Sequence, residues 1–331
     1  MENLKIIDKT KLLHNLEVFN TKKICAMVKA NAYGHGLEEI VKILDGKVAM
    51  FGVANVEEGK RVRRVSQIPI LVAGKVFDYD ACKDFNLDFF VGDELDLMNA
   101  IYHGLNQNCH LKIDCGMHRF GVDEQSKAKR IKEIALAENV VFKTICTHFS
   151  QTDNKIVTKK QYQKFLLIKN IFDNSIPVCL GGSGVIDYGF EYDFLRVGIG
   201  LYGYEKNCSP ILSLQSYVCE VKYVKAGEYV GYGSKYRVKS GGFYAIVPIG
   251  YGDGLKRCLG GKIEVEIGGK LFSVVGNICM DACFVKVDEN IEVGQDVKFV
   301  FDAQKWAEKA NTISYEILTG LSSFRGKTIV I

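Results

Sequence analysis

From residue 23 to residue 203 the chain alternates short apolar runs with longer stretches in which apolar residues recur at helical intervals. The apolar runs are KICAMVKA, VAMFGVAN, PILVAGK, DFFVG, CHLKIDCG, VVFKTICTHF, PVCLGG and FLRVGIGLYG. They are nearly continuous rather than alternating in polarity, the pattern of strands buried on both faces of a parallel sheet. Between them lie GLEEIVKIL, VEEGKRVRRV, DELDLMNAIY, EQSKAKRIKEIALAE and TKKQYQKFLLIKNIF, whose spacing predicts amphipathic helices. Eight strand-then-helix units predict a (β/α)8 TIM-type barrel. The last crossover, SGVIDYGFEYD, is short and has room for only one or two helical turns.

Beyond about residue 210 the pattern changes to strand-like runs punctuated by glycine: ILSLQSYVCEVKYV, EYVGYG, GFYAIVPIG, KIEVEIGG, LFSVVGNICM, ACFVKV and DVKFVFD. Short helices are expected only near AQKWAEKA and SYEILTGL. The predicted division is an α/β barrel over residues 8–208 and a mostly β domain over residues 209–331. The opening run LKIID reads as a strand but precedes the barrel count, so residues 1–7 are expected to join the β domain.

Composition narrows the class. Hydrophobic residues make up 47% and charged residues 25% of the 331, which supports a sizeable core and excludes a disordered chain. No window approaches an uninterrupted apolar membrane span, and the N-terminus, MENLKIIDKTKLLHN, has no signal-like apolar core. A cytoplasmic protein without a membrane partner is therefore expected. The 43 basic residues exceed the 39 acids by a scattered +4, with no stripe that would track a phosphate backbone, so no nucleic-acid partner is expected. Eleven cysteines run from Cys25 to Cys283 without a C-x-x-C pair, which argues for reduced thiols and against a metal cage.

In such a barrel the reactive groups collect at the C-terminal ends of the strands, and here those ends are unusually polar. The first is expected to end in Lys29, followed by Asn31, Tyr33, Gly34, His35 and Gly36; the fifth in Asp114, Cys115 and Gly116, with Arg119 beyond. The sixth ends in His148, the seventh runs into Gly181, Gly182 and Ser183, and the eighth carries Arg196 before Gly198. A lysine among Ala26, Met27, Val28 and Ala30 is desolvated, which lowers its pKa and suits Schiff-base chemistry; taken alone it reads more simply as a snorkelling side chain. Glycines and a hydroxyl after the last two strands suit a phosphate cradle, and by themselves fit a pair of tight loops as well. Gly198, Gly200 and Gly203 form G-x-G-x-x-G, but the YEKNCSP that follows cannot open the helix a dinucleotide fold needs. RGKT near the end lacks the glycine spacing of a P-loop.

Larger motifs surround these residues. In chain order they are Ala26-Met-Val-Lys29-Ala-Asn-Ala-Tyr33-Gly-His-Gly36, Lys112-Ile-Asp-Cys-Gly-Met117-His-Arg119-Phe-Gly121, Thr147-His148-Phe and Leu195-Arg196-Val-Gly-Ile-Gly-Leu-Tyr-Gly203. Val230-Gly-Tyr232-Gly, Pro248-Ile-Gly-Tyr251-Gly-Asp-Gly254, Cys279-Met280-Asp281 and Thr312-Ile-Ser-Tyr315-Glu follow in the β region. Over nearly its whole length the chain resembles the alanine racemases, a pyridoxal 5'-phosphate (PLP) family built of a barrel and a β domain.

The resemblance implies interconversion of L- and D-alanine, supplying D-alanine for peptidoglycan. It implies that Lys29 holds PLP as a Schiff base, that Tyr33, Ser183, Gly198, Ile199 and Tyr315 bind its phosphate, and that His148 and Arg196 also contact the cofactor, Arg196 at the pyridine nitrogen. An arginine cannot take a proton from a pyridinium, so the ring stays unprotonated and its electron sink is weakened. Arg119 and the backbone around Met280 are implied to bind the substrate carboxylate, with Lys112 carbamylated and steadying Arg119. Two acid/base groups are implied, Lys29 for the D-enantiomer and Tyr232 for the L-enantiomer, the tyrosine coming from the partner chain of a head-to-tail homodimer with shared sites. His148 and Arg196 are the groups expected to favour its phenolate.

Three positions depart from the family's pattern. Cys179-Leu-Gly-Gly182-Ser183 stands where His-x-x-Asn-Ser is common, and Asn277 replaces an arginine of the substrate entryway, near which the resemblance leaves Arg257 and Asp153. A racemase of serine or a larger amino acid on the same fold is the alternative within this class. A non-catalytic PLP homeostasis protein is the alternative outside it; such proteins lack the β domain that carries Tyr232 and Met280. A decarboxylase of related fold fits the Tyr232 and Cys-Met-Asp motifs less well.

Overall fold

The computed structural model describes residues 1–19 and 22–331. Strand β1 (Leu4–Ile7) and helix α1 (Lys9–Val18) come first; α1 starts where the Asp8 carboxylate accepts the Lys11 N–H at 2.9 Å, a side-chain N-cap. Eight parallel strands then close a barrel: β2 (Lys23–Met27), β3 (Met50–Val53), β4 (Ile70–Val72), β5 (Asp88–Val91), β6 (Cys109–Lys112), β7 (Phe142–His148), β8 (Val178–Gly181) and β9 (Phe194–Val197). All eight lie within the predicted runs. Closure is between β9 and β2, where Cys25 sits opposite Arg196.

The crossovers hold α2 (Leu37–Leu44), α3 (Val56–Arg63), α4 (Tyr79–Asp84), α5 (Glu94–Tyr102), α6 (Gln125–Ala137) and α7 (Lys155–Lys169). The last crossover has only a short 3-10 turn, Ser183–Tyr188, as its length requires. Asn55, Asp93 and Asn154 cap α3, α5 and α7, which ties each helix start to the strand end before it. Helices α1 and α4 go beyond the predicted set; α4 has only six residues, too few for a periodicity to register.

Two strand ends differ from the expectation. The fifth barrel strand ends at Lys112, because the Asp114 carboxylate accepts the Gly116 and Met117 N–H groups and turns Asp114, Cys115 and Gly116 into a loop. The first barrel strand ends at Met27, and Lys29 lies past it, opening a left-handed turn. Ala30, Asn31, Ala32 and Tyr33 have φ of 53°, 54°, 52° and 52°. Left-handed backbone costs an L-residue about 1–2 kcal/mol, so four in succession persist only because neighbours hold them.

The second unit comprises β10 (Leu212–Tyr217), β11 (Glu220–Val224), β12 (Tyr229–Val230), β13 (Tyr236–Arg237), β14 (Gly242–Val247), β15 (Glu264–Ile267), β16 (Lys270–Val275), β17 (Cys283–Val287), β18 (Asp296–Phe299) and β19 (Lys327–Val330), with α8 (Ala303–Ala310) and α9 (Ser314–Gly320). The main sheet runs β11-β14-β17-β16-β15-β18-β10-β1-β19, so the N-terminal strand joins the β unit, antiparallel to β10 and parallel to β19. The run ILSLQSYVCEVKYV divides into two strands: Val218 N–H turns to Gln295 O and Cys219 N–H to Ile246 O, which moves the chain to the other end of the sheet. RGKT, rejected as a phosphate loop, leads into edge strand β19.

Candidate active site

The C-terminal ends of the barrel strands surround a cavity of about 480 Å³. Lys29, Tyr33, Lys112, Arg119, His148, Ser183, Arg196, Gly198, Ile199 and Tyr315 all line it, so the structure gathers ten of the twelve expected site residues. Tyr232 and Met280 are not among them. Both lie in the β unit, 70% and 53% exposed, with Tyr232 on a turn between β12 and β13 whose carbonyl accepts the Asn277 side-chain N–H at 2.8 Å.

The left-handed turn aims Lys29. Ala32 N–H bonds Val28 O at 2.8 Å, Gly34 N–H bonds Ala30 O at 2.9 Å, and the Ala30 N–H is taken by the Glu58 carboxylate at 2.6 Å. The other Glu58 oxygen accepts the Ala54 N–H at 2.7 Å, which fastens the turn to the end of β3. On the far side Lys5 Nζ donates to Gly34 O at 2.6 Å, and the His35 ring stacks on Tyr202 at 4.4 Å between centroids. Tyr202 in turn donates to Met27 O at 2.9 Å. Glu58, Lys5 and Tyr202 escaped the sequence reading because each acts across the fold on backbone atoms; the one visible trace is a lysine inside the apolar run LKII, where it is 3% exposed.

The cavity is cationic. Lys29, Lys112, Arg119 and Arg196 line it, and among the described residues no acid does. Burial, then the Arg119 and Arg196 charges, draw the Lys29 pKa down, against a weaker opposing pull from Glu58. Burial and Arg196 bring Lys112 to about 7. Burial takes His148 to about 2, helped by the four cations, so its imidazole is neutral. Tyr33 and Tyr315 are pushed the other way by burial and stay protonated donors. Arg196, 5% exposed, donates through Nη1 to Cys179 O and Cys179 Sγ, both at 3.1 Å, and through Nη2 to Thr147 O. The Asp114 carboxylate accepts the N–H groups of Gly116, Met117 and Arg119, at 2.8, 2.9 and 3.1 Å, and so shapes the loop that presents Arg119.

Such a site suits a small polyanion. Gly198 has no side chain where a Cβ would overlap the Tyr33 hydroxyl, so that hydroxyl and the Gly198 backbone can face one ligand group together. Protonated tyrosine donors, the Ser183 hydroxyl and a glycine cradle match a phosphate, while an amine depleted of its proton and a buried guanidinium match an aldehyde and a pyridine nitrogen. PLP carries all three. The residues fit it.

Family models for the alanine racemase N-terminal domain and C-terminal domain match residues 7–206 and 211–329. The chain belongs to the alanine racemase family. It is thereby placed among the PLP-dependent racemases, which are isomerases. The alanine racemase of Clostridium kluyveri is 31% identical over 335 residues, covering 90% of this chain and 85% of that protein. The crystal structure of alanine racemase from E. faecalis superposes with a TM-score of 0.92 at 27% identity, covering 100% of this chain and 98% of that one. The Bartonella henselae alanine racemase, solved with covalently bound pyridoxal phosphate, shares the fold at a TM-score of 0.88 and 23% identity, each chain fully covered. No helix among the described residues is long and apolar enough to cross a membrane.

Proposed function

We propose that this protein interconverts L- and D-alanine, with PLP held at Lys29 and with Tyr232 of the partner subunit completing each site. The observation that carries the reading is a division of labour. Lys29, Arg119 and Arg196 share one cationic cavity, while Tyr232 and Met280 stand exposed elsewhere on the same chain. A wider cleft of about 640 Å³ adjoins the cavity, sharing Phe90, Lys112, Arg119 and Phe120, and offers an approach for a partner's β unit.

PLP, when bound, supplies a conjugated electron sink that lets an amino-acid Cα–H ionise. Tyr33, Ser183, Gly198, Ile199 and Tyr315 would hold its phosphate, and Arg196 would donate toward the ring nitrogen and, being unable to accept a proton, would favour its unprotonated form. Arg119, with backbone near Met280 of the partner subunit, binds the substrate carboxylate. Lys29 Nζ, depleted of its proton by burial, moves the Cα proton on one face; Tyr232 Oη of the partner subunit moves it on the other. Because the proton leaves one face and returns to the opposite one, racemisation calls for two such groups or one mobile group, and the residues here supply two. His148 is neutral and brings no charge to a phenolate, so Arg196 is the cationic aid of the two expected. Lys112, its amine free of the proton near neutrality, is poised to take up carbon dioxide as a carbamate, an anion between Arg119 and Arg196. The D-alanine formed would serve peptidoglycan synthesis in the cytoplasm.

Tyr232→Phe should lower racemisation by on the order of a hundredfold or more while PLP stays bound. Solvent-deuterium exchange should persist for D-alanine and vanish for L-alanine. Mixing this variant with Lys29→Ala chains should restore activity, since one hybrid site regains both groups. Equal loss of exchange from both enantiomers, or verified heterodimers without rescue, would overturn the shared-site mechanism.

A further inference from the structure

Tyr232 and Met280, the groups proposed to serve the partner's cavity, are both exposed in their own chain, so packing does not aim them. Their directions come from the backbone beneath. Tyr232 sits on the turn of the β12–β13 hairpin, which forms a two-stranded sheet of its own, apart from the nine-stranded one. Val230 anchors this hairpin in a small apolar cluster with Val238, Tyr244 and Val275. The turn itself takes left-handed backbone at Gly231, Gly233 and Ser234, with φ of 76°, 73° and 50°, and strands of two residues fix such a turn poorly.

The loop between β16 and β17, residues 276–282, reaches both groups. At its start Asn277 Nδ2 donates to the Tyr232 carbonyl at 2.8 Å. Gly276, with φ 66°, permits the approach, because a Cβ there would lie 2.9 Å from the Val230 carbonyl oxygen. At its tip Cys279 N–H bonds Ala282 O at 2.8 Å, which leaves Met280 and Asp281 at the bend. Tyr251 N–H and Gly252 N–H hold the Cys279 and Met280 carbonyls, each at 2.9 Å, and a Cβ on Gly250 would overlap the same two oxygens. Arg325 then fastens the tip. Its Nη1 donates to Asp281 at 2.7 Å, while Nε and Nη2 donate to the Asp253 carboxylate, each at 2.8 Å. Asp253 is buried and also accepts the Gly250 N–H at 2.9 Å, so the carboxylate that Arg325 grips shapes the strip that holds Met280. A planar guanidinium can serve two carboxylates in one fixed geometry, which a lysine cannot.

We propose that Asn277 and Arg325 are positioning residues for the partner's site: Asn277 sets the turn that carries Tyr232, Arg325 acting through Asp281 sets the carboxylate-binding backbone at Met280, and residues 276–282 fix the one relative to the other. The inference rests on the function proposed above. It gives a task to residue 277, where the motif departs from the family's arginine: a short neutral donor takes the Tyr232 carbonyl. The two ends of the loop act on different parts of the reaction. The Tyr232 end bears on the proton of one face, and so on one enantiomer's Cα–H; the Met280 end bears on the carboxylate, which both enantiomers share.

Each end therefore has its own signature in the holoenzyme. Asn277→Leu keeps the side-chain bulk and removes the donor. Racemisation should slow roughly two- to tenfold in both directions with KM held, and solvent-deuterium exchange without inversion should fall for L-alanine while persisting for D-alanine. Asn277→Asp, which keeps the shape and turns an acceptor toward the carbonyl, should give the same asymmetry. Asp281→Ala leaves the Arg325–Asp253 pair in place and frees only the tip. KM should rise roughly two- to fivefold for both enantiomers, with the ratio of L- to D-exchange unchanged. General loosening of the β unit would move both signatures together. Amide hydrogen exchange reads the same division without turnover: peptides of the β12–β13 hairpin should exchange faster in Asn277→Leu, and peptides covering Tyr251 and Gly252 in Asp281→Ala. Equal loss of exchange from the two enantiomers in both Asn277 variants, or wild-type rates there, overturns the assignment of Asn277; an unchanged KM in Asp281→Ala overturns that of Arg325. Tyr232→Phe run beside them separates the levels. Asymmetric exchange in Tyr232→Phe with symmetric exchange in the Asn277 variants removes the positioning role and leaves the shared site standing, whereas symmetric exchange in Tyr232→Phe removes both.

Discussion

Gly198→Ala places one methyl group where the structure leaves no room. The added Cβ would lie 3.0 Å from Tyr33 Cζ and nearer still to its hydroxyl, with Met27 Cβ at 3.7 Å behind it. Carbon atoms pack best at roughly 3.5–4.0 Å, so about half an ångström or more of overlap must be relieved. Tyr33 has little freedom to relieve it. Its ring is 7% exposed, it lies 4.8 Å from the Tyr202 ring and 6.0 Å from the Tyr315 ring, and its backbone is held left-handed with φ 52°. Overpacking of this kind costs about 1–3 kcal/mol, and displacing the hydroxyl from an anionic ligand costs about 1.5–3 kcal/mol. PLP affinity should therefore fall roughly ten- to a hundredfold. Equilibrium dialysis or fluorescence titration of the apoprotein with PLP reads the effect. The cycle with Tyr33→Phe isolates it: removing the hydroxyl removes the closest overlap, so the double variant should lose less than the sum of the single losses. Wild-type affinity in Gly198→Ala, or strict additivity in the cycle, would show that the Gly198–Tyr33 contact does not shape the phosphate cradle.

Borohydride reduction of the holoenzyme should fix the cofactor on the peptide containing Lys29; a label on any other lysine removes Lys29 from its proposed role. Lys112 should alter the pH dependence of stability. Its amine titrates at about 7 in the fold against 10.5 when free, so between those values the unfolded chain binds the extra proton and stability rises with pH. In carbon-dioxide-free buffer the thermal midpoint should climb across that window in the wild type and less steeply in Lys112→Met; equal slopes contradict the buried neutral amine. With isotopically labelled bicarbonate a carbamate carbon resonance should appear in the wild type and be absent from Lys112→Met. Gly34→Ala combines φ +82° with a Cβ placed 2.9 Å from the Leu318 carbonyl carbon of α9, so it should destabilise by about 2 kcal/mol or more. Its thermal midpoint should drop and PLP should dissociate more readily, because α9 carries Tyr315; an unchanged midpoint counts against this packing.

The sequence by itself determined the layout: eight buried strands, the helices between them, the change to a β unit near residue 210, and the polar strand ends that gather at one mouth. Those features are legible because strand and helix periods are local, and because barrel closure obliges the strand ends to converge. The motifs also named ten of the residues that line the cavity. Only the tertiary structure decided how Lys29 is held. A left-handed turn of Ala30, Asn31, Ala32 and Tyr33 goes against local preference, and the groups that enforce it, Glu58 and Lys5, come from other elements. Only the structure separated inward from outward positions within the apolar runs, which is why Cys179, a departure in the motif, becomes the partner of Arg196. Strands buried on both faces hide that distinction in sequence, since both sets of side chains read as core. The same structure left Tyr232 outside the cavity of its own chain, because a turn of the β unit is aimed by the sheet it leaves, not by the motif it contains.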